Sequence, residues 1–180
     1  MNKNYLREEF DKNGYHALTS KCLIAMPYAT EDMEKDPRET HASEEPIQLK
    51  TGTLTKEEAE AILNALPIDV TFVDKTDAVR YFNKPEKRIF VRTRSVIGTK
   101  VQQCHPKKSV HIVNKILDGF KAGKKDSAEF WIRMEGRLVH IRYLPVRGMN
   151  GQYIGTLDVT QDITAMKEIE GEKRLLDLKE

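Results

Sequence analysis

Three predicted strands joined by two tight turns occupy the last third of the chain, and they constrain the fold most. The strands are predicted at residues 127–134, 137–147 and 152–163. Glu135-Gly136 forms the first turn, and Asn150-Gly151 in "GMNG" is a strong hairpin signal for the second. Pro145 lacks an N–H donor, so it predicts a bulge or an edge position within its strand. The sequence therefore predicts an antiparallel meander.

A hairpin of two shorter strands precedes the meander. Residues 68–74, "IDVTFVD", alternate at period two and place Ile68, Val70 and Phe72 on one face. The following "DKTD" has turn composition, and residues 78–83, "AVRYFN", make the returning strand. These two strands bring the predicted total to five.

Helices are predicted before the hairpin and between the hairpin and the meander. In residues 54–66, Thr55 is a candidate N-cap, with Glu58 at the capping-box spacing. A second helix starts at Pro106 and stops before Gly123. Its apolar face contains Val110, Val113, Ile116, Leu117 and Phe120. The fold class is therefore α+β: a five-stranded antiparallel sheet with helices inserted between strands 2 and 3, plus flanking N- and C-terminal helices.

The chain is predicted to have three parts. Residues 1–52 are an N-terminal extension and acidic linker, because residues 30–50 hold seven acids and few large apolar side chains. Residues 53–163 form the domain. Residues 164–180 read as a charged amphipathic helix suited to signalling or dimerisation, in which Ile169 and Leu176 lie seven apart but Gly171 weakens the helix.

Composition narrows the function classes. No apolar run approaches the roughly 20 residues of a membrane span, and no secretory h-region opens the chain. Two cysteines are too few for a disulfide framework, so the expected location is the cytoplasm. Residues 80–125 carry thirteen Lys or Arg against two acids. This stretch is either a solvated surface or a patch for an anionic partner, and no nucleic-acid-binding motif accompanies it.

Cys104, His105 and His111 raise the question of a metal or heme site. Cys104 and His105 are adjacent, whereas zinc chelate pairs are usually spaced by two to four residues. Cys104 is expected to be a buried thiol and His105 to flank the helix start. His111 lies about 160° from Val113 around the helix, so it should be exposed and not face a pocket. Neither catalytic triad, paired carboxylates nor phosphate loop is evident, so no enzyme is expected.

Four motifs together resemble the PAS domain family over residues 53–165. They are "FVDKTDAVRYFN", similar to the opening PAS hairpin; "VIG", similar to the turn before the pocket helices; "LPVRGMNGQYIG", similar to the last hairpin; and "QDIT", similar to the start of the outgoing helix. More narrowly, "LPIDVTFVDKTDAVRYFN", "CHPKKSVHIV" and "AEFWI" resemble the C-terminal PAS module of bacterial hemerythrin-like proteins of undefined function. There, a helical iron-binding domain lies upstream.

The resemblance implies a sensory or regulatory module with a pocket between helix and sheet. The expected pocket residues are Phe72, Tyr81, Arg92, Arg94, Val113, Ile116, Leu117, Phe120, Phe130, Ile132, Ile141 and Tyr143. The arginines could pair with an anionic ligand or simply be surface charge. Expected partners are a small molecule, a second copy of the chain, and an effector protein or upstream helical domain. A heme-based oxygen or redox sensor with His111 as ligand is the alternative, because heme PAS domains carry a His five residues after a Pro, as here.

Overall fold

The computed structural model describes residues 45–175. The strands are β1 Ile47–Leu49, β2 Gly52–Leu54, β3 Asp69–Asp74, β4 Val79–Phe82, β5 Ala128–Met134, β6 Arg137–Arg147 and β7 Tyr153–Asp162. The helices are α1 Lys56–Ala65, α2 Val110–Lys121 and α3 Thr164–Lys167, with short 3-10 turns at Arg94–Val96, Val101–Cys104 and Lys107–Ser109. None of the helices in this part of the chain is long and apolar enough to cross a membrane.

A five-stranded antiparallel sheet forms the centre of the fold, with strand order β4-β3-β7-β6-β5. The β3–β4 hairpin lies at one edge of the sheet, and the helical segment then crosses to β5 at the other edge. From β5 the chain runs back through β6 to β7, which pairs with β3. The predicted fold class, a sheet with helices inserted between its second and third strands, is confirmed. Pro145 of β6 lies beyond the last residue paired with β5 and next to a register shift at Val146, so it occupies a local edge beside a bulge.

The linker boundary predicted at residue 52 falls within a two-stranded hairpin, β1–β2, which is separate from the five-stranded sheet. Ile47 pairs with Leu54, and Leu49 pairs with Gly52. The acidic composition upstream obscured the short alternation of Ile47 and Leu49. The predicted N-terminal helix is confirmed as α1, and its capping box is present. The Thr55 hydroxyl accepts from the Glu58 amide at 3.1 Å, and the Glu58 carboxylate accepts from the Thr55 amide at 2.8 Å.

Helix α2 packs one face on the sheet, as its sequence periodicity predicts. Its buried residues are Ile112, Val113, Ile116, Leu117 and Phe120, whereas His111 is exposed. The Lys121 ammonium lies 2.7 Å from Asp77 Oδ1 in the β3–β4 turn, and Arg147 of β6 donates to the Phe120 carbonyl at 3.3 Å. Apolar burial and these two polar contacts together fix the helix over the sheet.

The two faces of the sheet are occupied by different side chains. Thr71 and Val73 of β3 point toward α2, so Phe72 points to the opposite face. There its ring passes over Gly155 of β7, where any Cβ would lie 2.5 Å from a Phe72 ring carbon. Glycine is therefore required at 155, and the ring of Phe72 cannot reach the α2 side.

Asn83, at the end of β4, joins α1 to the sheet. Its side chain is fully buried, and its amide donates to the carbonyls of Leu63 and Ile68 at 2.9 Å each. Its Oδ1 accepts from the Val70 amide at 2.7 Å and from Arg88 Nη1 at 3.0 Å. All of its hydrogen-bonding capacity is used, so this residue fixes the position of α1 relative to β3.

The predicted long C-terminal helix is wrong over the described residues, because α3 ends at Lys167. Gly171 adopts φ +64°, a left-handed conformation that interrupts a helix. Ile169 is 72% exposed and Leu175 is 81% exposed, so neither packs against the domain. A helix this short gains little without a packing partner. Residues 176–180 lie outside the described part. Residues 2–13, where Leu6 and Phe10 lie four apart before Gly14 and predict a short helix, also lie outside it.

Replacing Asn83 with Ala should lower the free energy of unfolding by about 2–4 kcal/mol, because four buried hydrogen-bonding partners lose their contacts. Asn64→Ala is the matched control, since Asn64 makes one exposed bond to the Lys84 amide and should cost about 1 kcal/mol or less. Urea denaturation followed by circular dichroism measures both. Equal losses in the two variants would contradict the proposed role of Asn83.

Candidate functional site

A cavity lies between α2 and the inner face of the sheet. The volume that the centre of a water molecule can occupy in it is about 30 Å³. This is room for about two waters or a ligand of a few heavy atoms. Its lining residues are Thr71, Val73, Val79, Arg92, Val101, His105, Val113, Ile116, Leu117, Tyr143, Thr156 and Asp158. The wall is mainly aliphatic, and its charged groups are Arg92 and Asp158.

Five of the residues expected in the pocket line this cavity. They are Arg92, Val113, Ile116, Leu117 and Tyr143. Helical periodicity located the three on α2, since one face of an amphipathic helix must cover the sheet. The structure brings them together with Arg92, which lies in the segment between β4 and α2.

The expected placement of Phe72, Tyr81 and Arg94 in the pocket is corrected by the structure. Phe72 and Tyr81 are register partners on the sheet face that points away from α2. Burial raises the pKa of Tyr81, and the nearby Glu60 carboxylate of α1 raises it further. Arg94 begins an exposed 3-10 turn and does not line the cavity.

The other four expected residues pack beside the cavity in the core. Phe120 is fully buried near Ala128, and Ile141 is buried with Met134 and Val139. Phe130 and Ile132 face inward, half-buried against these clusters, while Trp131 is 50% exposed. The alternation expected along β5 is therefore present. These side chains support the cavity wall without lining it.

Arg88 makes a buried polar network next to the cavity. Its Nε donates to the Phe90 carbonyl at 2.8 Å, its Nη2 donates to Thr71 Oγ1 at 3.1 Å, and its Nη1 bonds Asn83. Asp69 lies 3.8 Å from the Arg88 Nε and accepts the Ile89 and Phe90 amides at 2.9 and 3.0 Å. Burial raises the pKa of Asp69 and lowers that of Arg88, while their mutual attraction opposes both shifts.

Arg92 and Asp158 form a second pair within the cavity wall. Arg92 Nη2 lies 3.4 Å from Asp158 Oδ2, and each side chain is 18% exposed. Thr160 donates to the other Asp158 oxygen at 3.2 Å. Burial raises the pKa of Asp158, and the Arg92 charge opposes that rise. Arg92 Nε is buried and has no hydrogen-bond partner in the described part of the chain.

His105 lines the cavity, although its sequence context predicted only a helix-flanking role. Its Nδ1 is buried without a hydrogen-bond partner among residues 45–175. Burial lowers the pKa of His105 to about 4, and the neighbouring Arg92 charge contributes to this shift. The imidazole is therefore neutral near pH 7. Cys104 is half-buried, with its Sγ 3.8 Å from Thr99 Oγ1.

The residues do not fit a heme. His111 is exposed on α2, away from the cavity, and the cavity is much smaller than a porphyrin. Within residues 45–175, no group of three or more His, Cys, Asp or Glu side chains is placed to hold a metal ion. A proximal histidine must face the cofactor, so the exposed position of His111 decides against it.

The basic stretch divides into two kinds of residue. Arg88 and Arg92 turn into the domain, whereas Lys84, Lys87 and Arg94 are exposed, as are Lys107 and Lys108 before α2. Most of the positive charge is thus on the surface. Local sequence does not indicate which two arginines turn inward, because their carboxylate partners, Asp69 and Asp158, lie on β3 and β7.

Comparison with known proteins identifies the fold. A family described as PAS domain matches residues 59–164. A crystal structure of a C-terminal domain from Streptococcus mutans is 33% identical, covers 71% of this chain and 98% of that one, and superposes with a TM-score of 0.66. A PAS domain from Colwellia psychrerythraea is 18% identical, with coverages of 61% and 97% and a TM-score of 0.46. A sensory box sensor histidine kinase from Vibrio cholerae is 14% identical, with coverages of 59% and 89% and a TM-score of 0.43.

No protein with a curated description matches this chain. The family match spans more than half of the 180 residues, and the Streptococcus mutans domain is matched over almost its whole length. The chain therefore belongs to the PAS domain family. PAS domains are generally sensory, non-catalytic modules.

Stability should fall as the pH is lowered from 6.5 to 4 because of His105. Its pKa is lowered from 6.5 to about 4 in the folded protein, so the unfolded chain binds more protons within this window. The full contribution is about 3 kcal/mol. Asp69 and Asp158, whose pKa values are raised, change the free energy of unfolding in the opposite direction as the pH falls. Their effect is present both in the unsubstituted protein and in a His105→Gln variant, so the difference between the two isolates the effect of His105.

The measurement is the free energy of urea unfolding at pH 7, 5.5 and 4. The free energy of unfolding of the unsubstituted protein minus that of His105→Gln should fall by about 3 kcal/mol between pH 7 and pH 4. The matched control is His111→Gln on the exposed side of α2, whose difference from the unsubstituted protein should stay constant. A pH-independent difference for His105→Gln would show that this imidazole is not buried.

Proposed function

We propose that this PAS domain is a cytoplasmic sensory module that binds a small ligand in the cavity between α2 and the sheet. Ligand binding changes the conformation or association of the domain, and a partner reads that change. No catalytic step is assigned to it. The single observation that carries the proposal is a cavity with a mainly aliphatic wall whose lining residues include Arg92 and His105. Each of these two side chains has a buried nitrogen atom without a hydrogen-bond partner among residues 45–175.

Output is proposed to leave through the end of β7. Strand β7 pairs with both β3 and β6, and it ends at Asp162, directly before α3. Asp162 Oδ1 accepts from the Thr164 hydroxyl at 2.6 Å and from the Thr164 amide at 2.9 Å. The same hydroxyl accepts from the Leu138 amide of β6 at 2.8 Å. A displacement of β7 would therefore move the C-terminal segment with it.

The partner is proposed to be an effector protein or a helical domain of the hemerythrin type. The resemblance of residues 66–83, 104–113 and 128–132 to PAS modules of hemerythrin-like proteins supports the second choice. In either case, the C-terminal segment and the exposed surface of α1 are the parts that can contact a partner without opening the core.

Native mass spectrometry of the full chain purified from its own cells tests ligand binding. The expected result is a bound small molecule that is released on denaturation. Val113→Phe, which fills the cavity, should retain less than about a tenth of it, because inserted atoms and ligand cannot share the same space. Val91→Phe is the matched control, since Val91 is 69% exposed.

Circular dichroism must show that both variants fold before their ligand content is compared. Absence of any bound molecule from the unsubstituted protein would contradict the proposal. Equal content in Val113→Phe and the unsubstituted protein would place the ligand elsewhere. A heme mass in the same spectrum would restore the heme sensor as the function.

We also propose a homodimer formed through α1, the β1–β2 hairpin and the C-terminal segment. Ile47, Leu49 and Ile62 are 44%, 50% and 50% exposed. An isolated two-stranded hairpin is marginal in water, and this one pairs with no other strand of the described residues. A second copy would cover these apolar side chains and stabilise the hairpin.

Light scattering at about 100 micromolar, above a typical weak-dimer Kd, should give the mass of a dimer. Ile62→Lys should weaken the dimer about tenfold or more, because a charge replaces an apolar contact. Met149→Lys is the control, since Met149 is 86% exposed at the tip of the β6–β7 hairpin. A monomeric mass for the unsubstituted protein at this concentration would refute the dimer.

A further inference from the structure

The two buried arginines differ in how completely they are paired. Arg88 bonds the Phe90 carbonyl, Asn83 and Thr71, and it also faces Asp69. Every nitrogen of its guanidinium group has a partner. Arg88 is therefore a structural residue with no remaining capacity for a ligand.

Arg92 is held much less firmly. Its one carboxylate contact, to Asp158, is 3.4 Å long, whereas charge-assisted bonds between N⁺–H and O⁻ are usually about 2.7–2.9 Å. Its Nε is buried and unpartnered within the described residues. A buried donor without an acceptor is destabilising, and the described residues supply no acceptor for this Nε.

His105, which lines the same cavity, has the second buried nitrogen without a hydrogen-bond partner among the described residues. Arg92 lies near enough for its positive charge to be felt at the imidazole, so the two side chains are neighbours in the wall. The aliphatic side chains of Val113, Ile116 and Leu117 line the α2 side. A ligand that suits this arrangement has a compact group of acceptor oxygens joined to a short apolar part.

We propose that the cavity binds a small monocarboxylate, with its oxygens on Arg92 Nε and His105 Nδ1 and its alkyl part against Val113, Ile116 and Leu117. The ligand carboxylate replaces Asp158 as the main partner of Arg92. This inference rests on the proposed ligand-binding function and names the chemical class of the ligand.

Volume and charge set the size limit. The cavity has room for about two waters, so only the shortest acids, of about two or three carbons, can enter, and the lining side chains must move to admit them. A dicarboxylate would bring a second charge, and Arg92 is the one cationic side chain among the described residues that line the cavity. Since an unpaired buried charge is strongly unfavourable, dicarboxylates should be rejected.

Displacement of Asp158 gives ligand binding a structural consequence. Asp158 lies on β7, four residues before that strand ends at Asp162 and leads into α3. Once the ligand takes over Arg92, Asp158 loses the cation that holds its pKa down, so burial drives it to take up a proton while it keeps its contact with Thr160. The net charge of the cavity then stays unchanged. The change thus begins on the strand that connects the cavity to the C-terminal segment.

The test is an NMR titration of the isotope-labelled full chain with propionate and with its neutral isostere propionamide. Propionate should shift the methyl resonances of Val113 and Leu117 and saturate, with propionamide binding at least about tenfold more weakly. Arg92→Met should weaken propionate binding about tenfold or more, whereas the matched control Arg94→Met, on an exposed residue outside the cavity, should not. Succinate should produce no saturating shifts.

Asp158→Asn provides a test with the opposite sign. Removing the internal carboxylate that competes for Arg92 should tighten propionate binding about tenfold. If Arg92→Met does not fold, Arg92→Lys keeps the charge but lacks Nε, and it should bind propionate more weakly than the unsubstituted protein. Weaker binding in Asp158→Asn would show that Asp158 contacts the ligand rather than competing with it, and would overturn the inference.

Other outcomes separate this inference from the proposed function. If propionamide shifts the cavity methyls as strongly as propionate, the site takes neutral ligands, and the carboxylate assignment is wrong while ligand binding stands. If neither probe shifts them but native mass spectrometry finds a bound molecule, the ligand class is wrong and the function again stands. If no probe binds and no molecule co-purifies, both proposals fail.

Discussion

The buried guanidinium group of Arg88 is the interaction on which the rest of the domain depends. It reaches Thr71 on β3, Asn83 at the end of β4 and the backbone of the following segment, while Asp69 balances its charge. Because an isolated buried charge is costly, these partners must stay together or the group must be exposed to water. The network therefore fixes the start of the chain segment that carries Arg92 to the cavity wall.

Arg92 follows four residues later and lacks such a network. Its contact with Asp158 is long, and its Nε has no hydrogen-bond partner among the described residues. The hydrogen-bonding capacity of Arg92 is therefore only partly used. Buried polar groups without partners are uncommon in folded proteins and call for an explanation. A ligand is the explanation proposed here, because the side chains of Arg92 and His105 both line the same cavity. In the proposed function, Arg88 gives rigid support and the incompletely paired Arg92 is the group that responds to the ligand.

Sequence periodicity predicted the parts of the site that depend on local geometry. Val113, Ile116 and Leu117 were placed correctly because a helix has a fixed angular repeat, and Phe130 and Ile132 alternate with Trp131 as expected. Phe72 was misplaced because period two defines two faces without saying which one meets α2, and here the inner face of β3 carries Thr71 and Val73. His105 and Asp158 could not be placed, since their burial depends on contacts between segments about fifty residues apart. The prediction of a long C-terminal helix is wrong over the described residues, because Ile169 and Leu175 do not pack against the domain and helix propensity alone does not stabilise such a segment.

The most direct test of this account is a crystal structure, at about atomic resolution, of the full chain purified from its own cells. The account predicts density larger than water in the cavity between α2 and the sheet, with ligand oxygens about 2.7–3.1 Å from Arg92 Nε and His105 Nδ1. It also predicts that Arg88 keeps the contacts seen here. A cavity that holds only ordered water bonded to both nitrogens would contradict the sensory role proposed for this site.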